Sequence, residues 1–167
     1  MKEINPKELD GNVFEMLSEQ WMLITAGDIS NYNTMTASWG GFGVVWGKNV
    51  CWCVVRPTRH THSFMEKNEY FTLSFFPEEY REALKFCGKE SGRDYDKAKE
   101  TGLIAIEGGI SGTTSFEQAN LIITCRKNYF HDFDPKKFID QTIDSSCYPQ
   151  KDYHRMYFGE IISVKVK

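Results

Sequence analysis

Short apolar runs alternate along the chain with polar, turn-forming stretches, and few segments carry the three-to-four spacing of a helix. Trp21–Ala26 is a compact apolar run closed by Gly27-Asp28. Asn49–Arg56 is rich in β-favouring residues, and Tyr70–Phe76 alternates well enough for a half-buried strand. Strand texture returns at Leu103–Ile106, Leu121–Cys125 and Met156–Val166, the last with Ile162, Val164 and Val166 in near-strict alternation. Helical spacing is confined to three places. Pro6–Gln20 puts Leu9, Val13, Phe14, Met16 and Leu17 on a short amphipathic helix or turn. A second helix opens at Pro77 behind Glu78-Glu79 and stops at Gly88, and a polar one is expected around Tyr95–Thr101. Residues 28–34 are turn formers, and residues 108–120 and 131–150 match no motif. Nothing repeats and no Pro/Gly/Ser-rich linker divides the chain. One mainly β domain over residues 1–167, a β-barrel with a few short helices, is the expected architecture.

The chain's 167 residues bury a sizeable core without staples. Twenty basic side chains against 23 acidic ones give a net charge of −3. That balance argues against nonspecific nucleic-acid binding, while leaving room for a local basic pocket that holds one phosphate. Five cysteines, an odd number with no C-x-x-C pair, indicate neither a disulfide framework nor a zinc site. Reduced thiols in a cytoplasmic protein are expected. The start Met-Lys-Glu-Ile-Asn-Pro has no apolar leader, and no run of about 18 apolar residues suggests a membrane span.

Four stretches carry candidate chemistry. Gly41-Phe-Gly43-Val-Val-Trp46-Gly47 nearly spells a dinucleotide motif, but the third glycine falls one place late and no strand–turn–helix unit surrounds it. It reads instead as a glycine-rich turn whose backbone must approach something closely. Asn33-Thr-Met35-Thr36-Ala37-Ser38-Trp39 interleaves hydroxyls, small residues and one large ring, as a loop able to face a planar heteroaromatic ligand. Its plainer reading is an ordinary loop with Trp39 tucked into the core. Arg56-Pro-Thr-Arg59-His-Thr61-His-Ser places two guanidiniums among hydroxyls just after a strand, a candidate phosphate clamp. His60 and His62 lack a third metal ligand nearby, so no metal is expected. Lys89-Glu-Ser91-Gly-Arg-Asp-Tyr-Asp-Lys97 could close cations over an anion, or be a solvated face. Cys51 and Cys53 share one strand face, where inert packing is the ordinary role. No nucleophile-and-base signature is present.

Taken in order, Asn33-x-Met35-Thr36-Ala37-Ser38-Trp39, a strand, Arg56-Pro57-x-Arg59-x-Thr61, Ser91-Gly92-x-Asp94-x-Asp96-Lys97, Thr101-Gly102-Leu103 and Asp152-x-His154-x-x-x-x-Gly159-Glu160-Ile161 resemble the flavin reductase-like family with its FMN-binding split barrel, most of all its flavoredoxin branch. The resemblance implies a six-stranded antiparallel barrel, a homodimer, and FMN held noncovalently near the subunit interface. It also implies reduced nicotinamide, NAD(P)H, as electron donor, with flavin or a protein as acceptor. The implied cofactor-binding set is Asn33, Met35, Thr36, Ala37, Ser38, Trp39, Cys53, Arg56, Arg59, Thr61, Lys89, Ser91 and Lys97. His154 is the implied catalytic residue, near the reactive face of the flavin, and Tyr153 intervenes where shorter relatives join the aspartate directly to the histidine. Because the hydride chemistry belongs to the cofactor, no acid–base dyad is required. Three readings stay open on sequence: an FMN-dependent oxidoreductase, an FMN-binding electron carrier with no nicotinamide site of its own, and a flavin-binding module without turnover.

Overall fold

The computed structural model describes residues 1–167. Ten strands form: β1 (Lys2–Ile4), β2 (Met22–Asp28), β3 (Asn31–Ala37), β4 (Gly40–Val45), β5 (Lys48–Val55), β6 (Tyr70–Phe75), β7 (Ala105–Glu107), β8 (Thr114–Phe116), β9 (Leu121–Asp132) and β10 (Arg155–Val166). The helices are α1 (Val13–Glu15), running into a π-helical turn at Met16–Gln20, then α2 (His60–Lys67), α3 (Arg81–Lys89), α4 (Lys97–Thr101) and α5 (Gln141–Cys147). Strands dominate and helices are short, as the hydrophobic pattern predicts.

The main sheet is antiparallel, in the order β3-β2-β6-β9-β10-β5-β4, with β1 added to β10. It thus has eight strands rather than six. Its spine is the long pair β9 and β10, whose register slips at Phe158/Gly159 and again at Ile161/Ser163. Such bulges bend a strand and help a sheet to coil. Inside lies a cluster of 18 buried residues, including Met22, Ile24, Phe71, Phe75 and Tyr157. On the other face, Leu23, Phe76, Leu84, Phe116 and Ile122 belong to a second cluster beneath α3, α4 and the separate β7–β8 hairpin. Strand β2 is therefore buried on both faces, which explains its unbroken apolar run.

Several elements differ from the expectation, each for a local reason. Residues 28–34 are not a turn: only Ile29-Ser30 reverses the chain, and Asn31 already opens β3. The Asp28 carboxylate accepts from the Ser30 and Asn31 amides at 2.8 and 3.0 Å and sets that tight reversal. Polar residues survive inside β3 because they find partners, as in the 2.8 Å contact between the Thr25 and Thr34 hydroxyls. The glycine-rich stretch is strand β4 as far as Val45, and only Trp46-Gly47 at its end form a turn, both at positive φ. A Cβ on Gly41 would lie 2.5 Å from the Trp52 ring on β5, so the close approach read from the glycines is to the neighbouring strand. Helix α3 continues through Gly88 to Lys89, and α2 and α5 form where no helix was predicted.

Candidate functional site

Strand β3, the β3–β4 link, the end of β5 and helix α3 converge on a cavity of about 570 Å³. Its apolar wall comes from Trp21, Met35, Ala37, Val54 and Leu84, with Trp39 at the rim, 46% exposed. Thr36 and Ser38 add hydroxyls, and Arg56, Arg59, Lys85 and Lys89 add cations, with no carboxylate on the wall. The wall is fastened locally, since Thr36 Oγ1 donates to the Leu84 carbonyl at 2.5 Å and so ties β3 to α3. Trp21 stands in the left-handed region at φ 67°, a conformation costly for a bulky residue. Its ring is held there by the Arg81 guanidinium 4.3 Å from the centroid and by donation from Nε1 to the Ser18 carbonyl at 3.1 Å.

The two clamp arginines have different occupations. Arg56 donates to the Asp152 carboxylate at 2.6 Å and to the Cys147 carbonyl at 2.8 Å, and its guanidinium lies 5.1 Å from the Tyr148 ring centroid. Arg56 beside it holds the Asp152 carboxyl below the usual carboxylate range. Arg59 instead donates to the Gly88 and Cys87 carbonyls, at 2.6 and 3.4 Å. Those carbonyls belong to the last turn of α3, the negative end of the helix, where a cation is favoured. Burial lowers the Arg59 pKa from its ordinary value. Lys89 reaches solvent, its nearest acid being Glu90 at 3.4 Å, while Lys85 pairs with Glu82 at 2.6 Å.

His154 precedes β10 and is 8% exposed, with its ring 5.2 Å from that of Trp39. Its Nδ1 lies 2.8 Å from the Tyr148 hydroxyl. Burial, reinforced by the Arg56 charge and opposed by Asp152, pushes its pKa down to about 4. The imidazole is therefore neutral at pH 7.

Met35, Thr36, Ala37, Ser38, Trp39, Arg56, Arg59, Lys89 and His154 thus meet on one wall, although they come from four separate stretches of chain. The others in the expected set stand away from it. Asn33 and Thr61 are buried behind the wall, where Asn33 Nδ2 donates to Thr61 Oγ1 at 2.7 Å. Lys97 is buried too, donating to the Thr34 and Cys87 carbonyls at 2.9 and 2.8 Å, and burial pushes its pKa down to about 8. Ser91 Oγ accepts from the Arg93 amide. Cys53 lies in the barrel core, fully buried, because alternation along β5 turns Cys53 inward and Val54 toward the cavity. His60 and His62 pack edge-on against Phe64 and Tyr157. Sequence reasoning missed Trp21, Val54, Leu84 and Lys85. Helical spacing put Leu84 on the apolar side of α3, but no pattern shows which part of that side meets a cavity.

The fold and the site together define a mainly β barrel with a cationic, apolar-walled cleft. The flavin reductase like domain matches residues 15–167, and the chain belongs to that family. No curated protein matches it. Among solved structures, an FMN-binding protein from Thermus thermophilus with bound 1-cyclohex-2-enone is similar at 18% identity and TM-score 0.70, over 99% of this chain and 80% of that one. The flavoredoxin of Methanosarcina acetivorans is 18% identical with TM-score 0.70, over 98% and 76%. An NADH:FAD oxidoreductase of Streptomyces globisporus is 16% identical with TM-score 0.67, over 89% and 75%. The antiparallel split-barrel expectation is borne out. No helix is long and apolar enough to cross a membrane.

Proposed function

We propose that this chain is an FMN-dependent oxidoreductase of flavoredoxin type, which draws electrons from reduced nicotinamide and delivers them to flavin or a protein acceptor in the cytoplasm. The observation that carries this reading is the wall of the 570 Å³ cavity: an apolar cleft edged by four cations and no carboxylate. Its volume lies in the range of small-molecule sites, about 300–1,000 Å³. The residues fit FMN by their chemistry. Met35, Ala37, Val54 and Leu84 offer an apolar berth for a flat ring, and Thr36 and Ser38 offer hydroxyls beside it. Arg59 and Lys89 are the cations best suited to a phosphate, since Arg56 is already engaged by Asp152. Bound FMN supplies hydride acceptance and one-electron release, chemistry that no side chain here provides.

The protein's own contribution is binding, orientation and exclusion of water. Trp39 and His154 border the rim, where a nicotinamide would stack. A neutral His154 offers hydrogen bonding there without placing another charge beside the cofactor. A homodimer is part of the proposal. Trp46, Tyr129 and Phe158 form an aromatic group with centroids 6.1–6.3 Å apart, its Trp46 and Tyr129 largely exposed, on a face suited to a second copy.

The test is the visible spectrum of the purified protein, followed by stopped-flow mixing with NADH or NADPH. Bound FMN that bleaches rapidly is expected. Bound FMN that does not bleach with either donor would make the chain a carrier reduced by another protein, and failure to bind FMN would overturn the reading altogether.

A further inference from the structure

Tyr148 follows α5 in the segment between β9 and β10, where the sequence offers no motif. Its ring is 1% exposed, packed against Phe138 and Tyr153 at centroid distances of 5.8 and 5.0 Å. Arg56 lies over it and donates to the carbonyl of the preceding residue, Cys147. The Asp152–Arg56 ion pair joins the same segment back to the end of β5. Tyr148 is thus held from several sides, and its hydroxyl has one hydrogen-bond partner, His154 Nδ1 at 2.8 Å.

Only one arrangement of protons satisfies both groups. Were Nδ1 the donor, the phenol hydrogen would need a further acceptor, and none lies within reach. With the phenol donating to Nδ1, the neutral imidazole carries its own proton on Nε2. His154 makes no other hydrogen bond, yet no buried side-chain polar atom of the chain lacks a partner. Nε2 is therefore the accessible nitrogen of a ring that lines the cavity.

We propose that Tyr148 is a positioning residue, fixing His154 as the Nε2–H tautomer so that a neutral hydrogen-bond donor faces the cavity. Such a donor suits an acceptor atom of a planar heteroaromatic ligand, a ring nitrogen or a carbonyl oxygen. The lowered pKa of His154, caused by burial and the Arg56 charge, is consistent with a ring that stays neutral and accepts at Nδ1. The consequence for catalysis rests on the proposed oxidoreductase function, whereas the tautomer does not.

The experiment has two arms on the full chain. Imidazole ¹⁵N correlation spectra at pH 7 are expected to show the His154 proton on Nε2 and a hydrogen-bonded Nδ1. Tyr148→Phe should move the Nδ1 resonance to that of an unbonded nitrogen. Tyr153→Phe, which removes from the same aromatic group a hydroxyl that bonds Asp144 and not the His154 ring, should leave it in place. A parent spectrum with the proton on Nδ1, or an Nδ1 signal indifferent to Tyr148→Phe, overturns the proposal. If Tyr148→Phe does not fold, the parent spectrum alone decides. In the kinetic arm, Tyr148→Phe should lower kcat for nicotinamide-driven flavin reduction about three- to tenfold, the effect of weakening one neutral hydrogen bond, with KM and FMN affinity within about twofold. Unchanged kcat would overturn the donor's role in the cavity. A parent that shows no nicotinamide-driven reduction would defeat the functional reading while leaving the tautomer result intact.

Discussion

Acidification should destabilise this protein through His154 by an amount the structure sets. The imidazole is buried, Arg56 is the cation facing it, and Asp152 is the opposing carboxylate. In the folded chain its pKa is about 4 against an ordinary 6.5. The sign follows from proton uptake. Between pH 6.5 and 4 the unfolded chain binds a proton at this ring and the folded chain does not, so stability falls as the pH falls. Above pH 6.5 the full stability is present, and below about pH 4 the loss levels off. A gap from 6.5 to about 4, at about 1.36 kcal/mol per pH unit, amounts to about 3 kcal/mol. The assay is urea denaturation at steps from pH 7.5 to 4.5, for the parent and for His154→Gln. Carboxylates titrate in the same window in both proteins, so the difference between the two curves isolates the ring. It should change by about 1.4 kcal/mol per pH unit below pH 6. Parallel curves, or a ring titration midpoint near 6 by NMR, would refute the reasoning.

Arg59→Ala should weaken FMN binding by about one to two decades, the loss of a charge-assisted contact worth about 1.5–3 kcal/mol; full affinity by titration would move the phosphate to Lys89 and Lys85. Arg56→Ala should act on stability first, by about 1.5–3 kcal/mol in urea denaturation, since it strips partners from Asp152 and the Cys147 carbonyl. Gly92→Ala should lower Tm by several degrees, because the new Cβ would sit 1.8 Å from Asn33 Oδ1 while Asn33 is tied to Thr61; an unchanged Tm would mean the loop shifts freely. Light scattering of the flavin-loaded protein should give about twice the 19.4 kDa chain mass, and a monomer would defeat the dimer.

What was legible in the sequence divides along the range of the interactions involved. Strands β5, β6 and β10 announce themselves because alternation is a local property, and Arg56 and Arg59 stand out because they are three residues apart. Strand β3 is hidden because Asn31, Asn33 and Thr34 have turn-forming side chains, satisfied by groups far along the chain: Asn33 by Thr61, 28 residues away. The different roles of the two arginines were equally invisible. Arg56 finds its carboxylate 96 residues on, and Arg59 finds its acceptors on the end of a helix 28 and 29 residues on. Tyr148 had no signal at all, for its segment carries neither periodicity nor motif and acquires meaning only where it folds back on His154.

The same contacts explain why a motif can be shared in order without all its members touching one ligand. The last-turn carbonyls of α3 need donors, and the helix forms a wall of the cavity, so whatever caps it also fixes that wall. Arg59 and Lys97 do so from two separate stretches, meeting at Cys87, with Lys97 reaching across to Thr34 on β3. Burying an ammonium is unfavourable, as the lowered Lys97 pKa records. An apolar side chain there would remove that penalty but leave two buried carbonyls without this donor and uncouple α3 from β3. Lys97 is therefore best understood as holding the wall in place, while Arg59 does so with its guanidinium still on the cavity surface. Asn33 and Thr61 form a second such tie, between β3 and the first turn of α2. Residues that line the cavity and residues that hold it apart at the right width are then subject to the same geometric demand, even though only the former meet what enters.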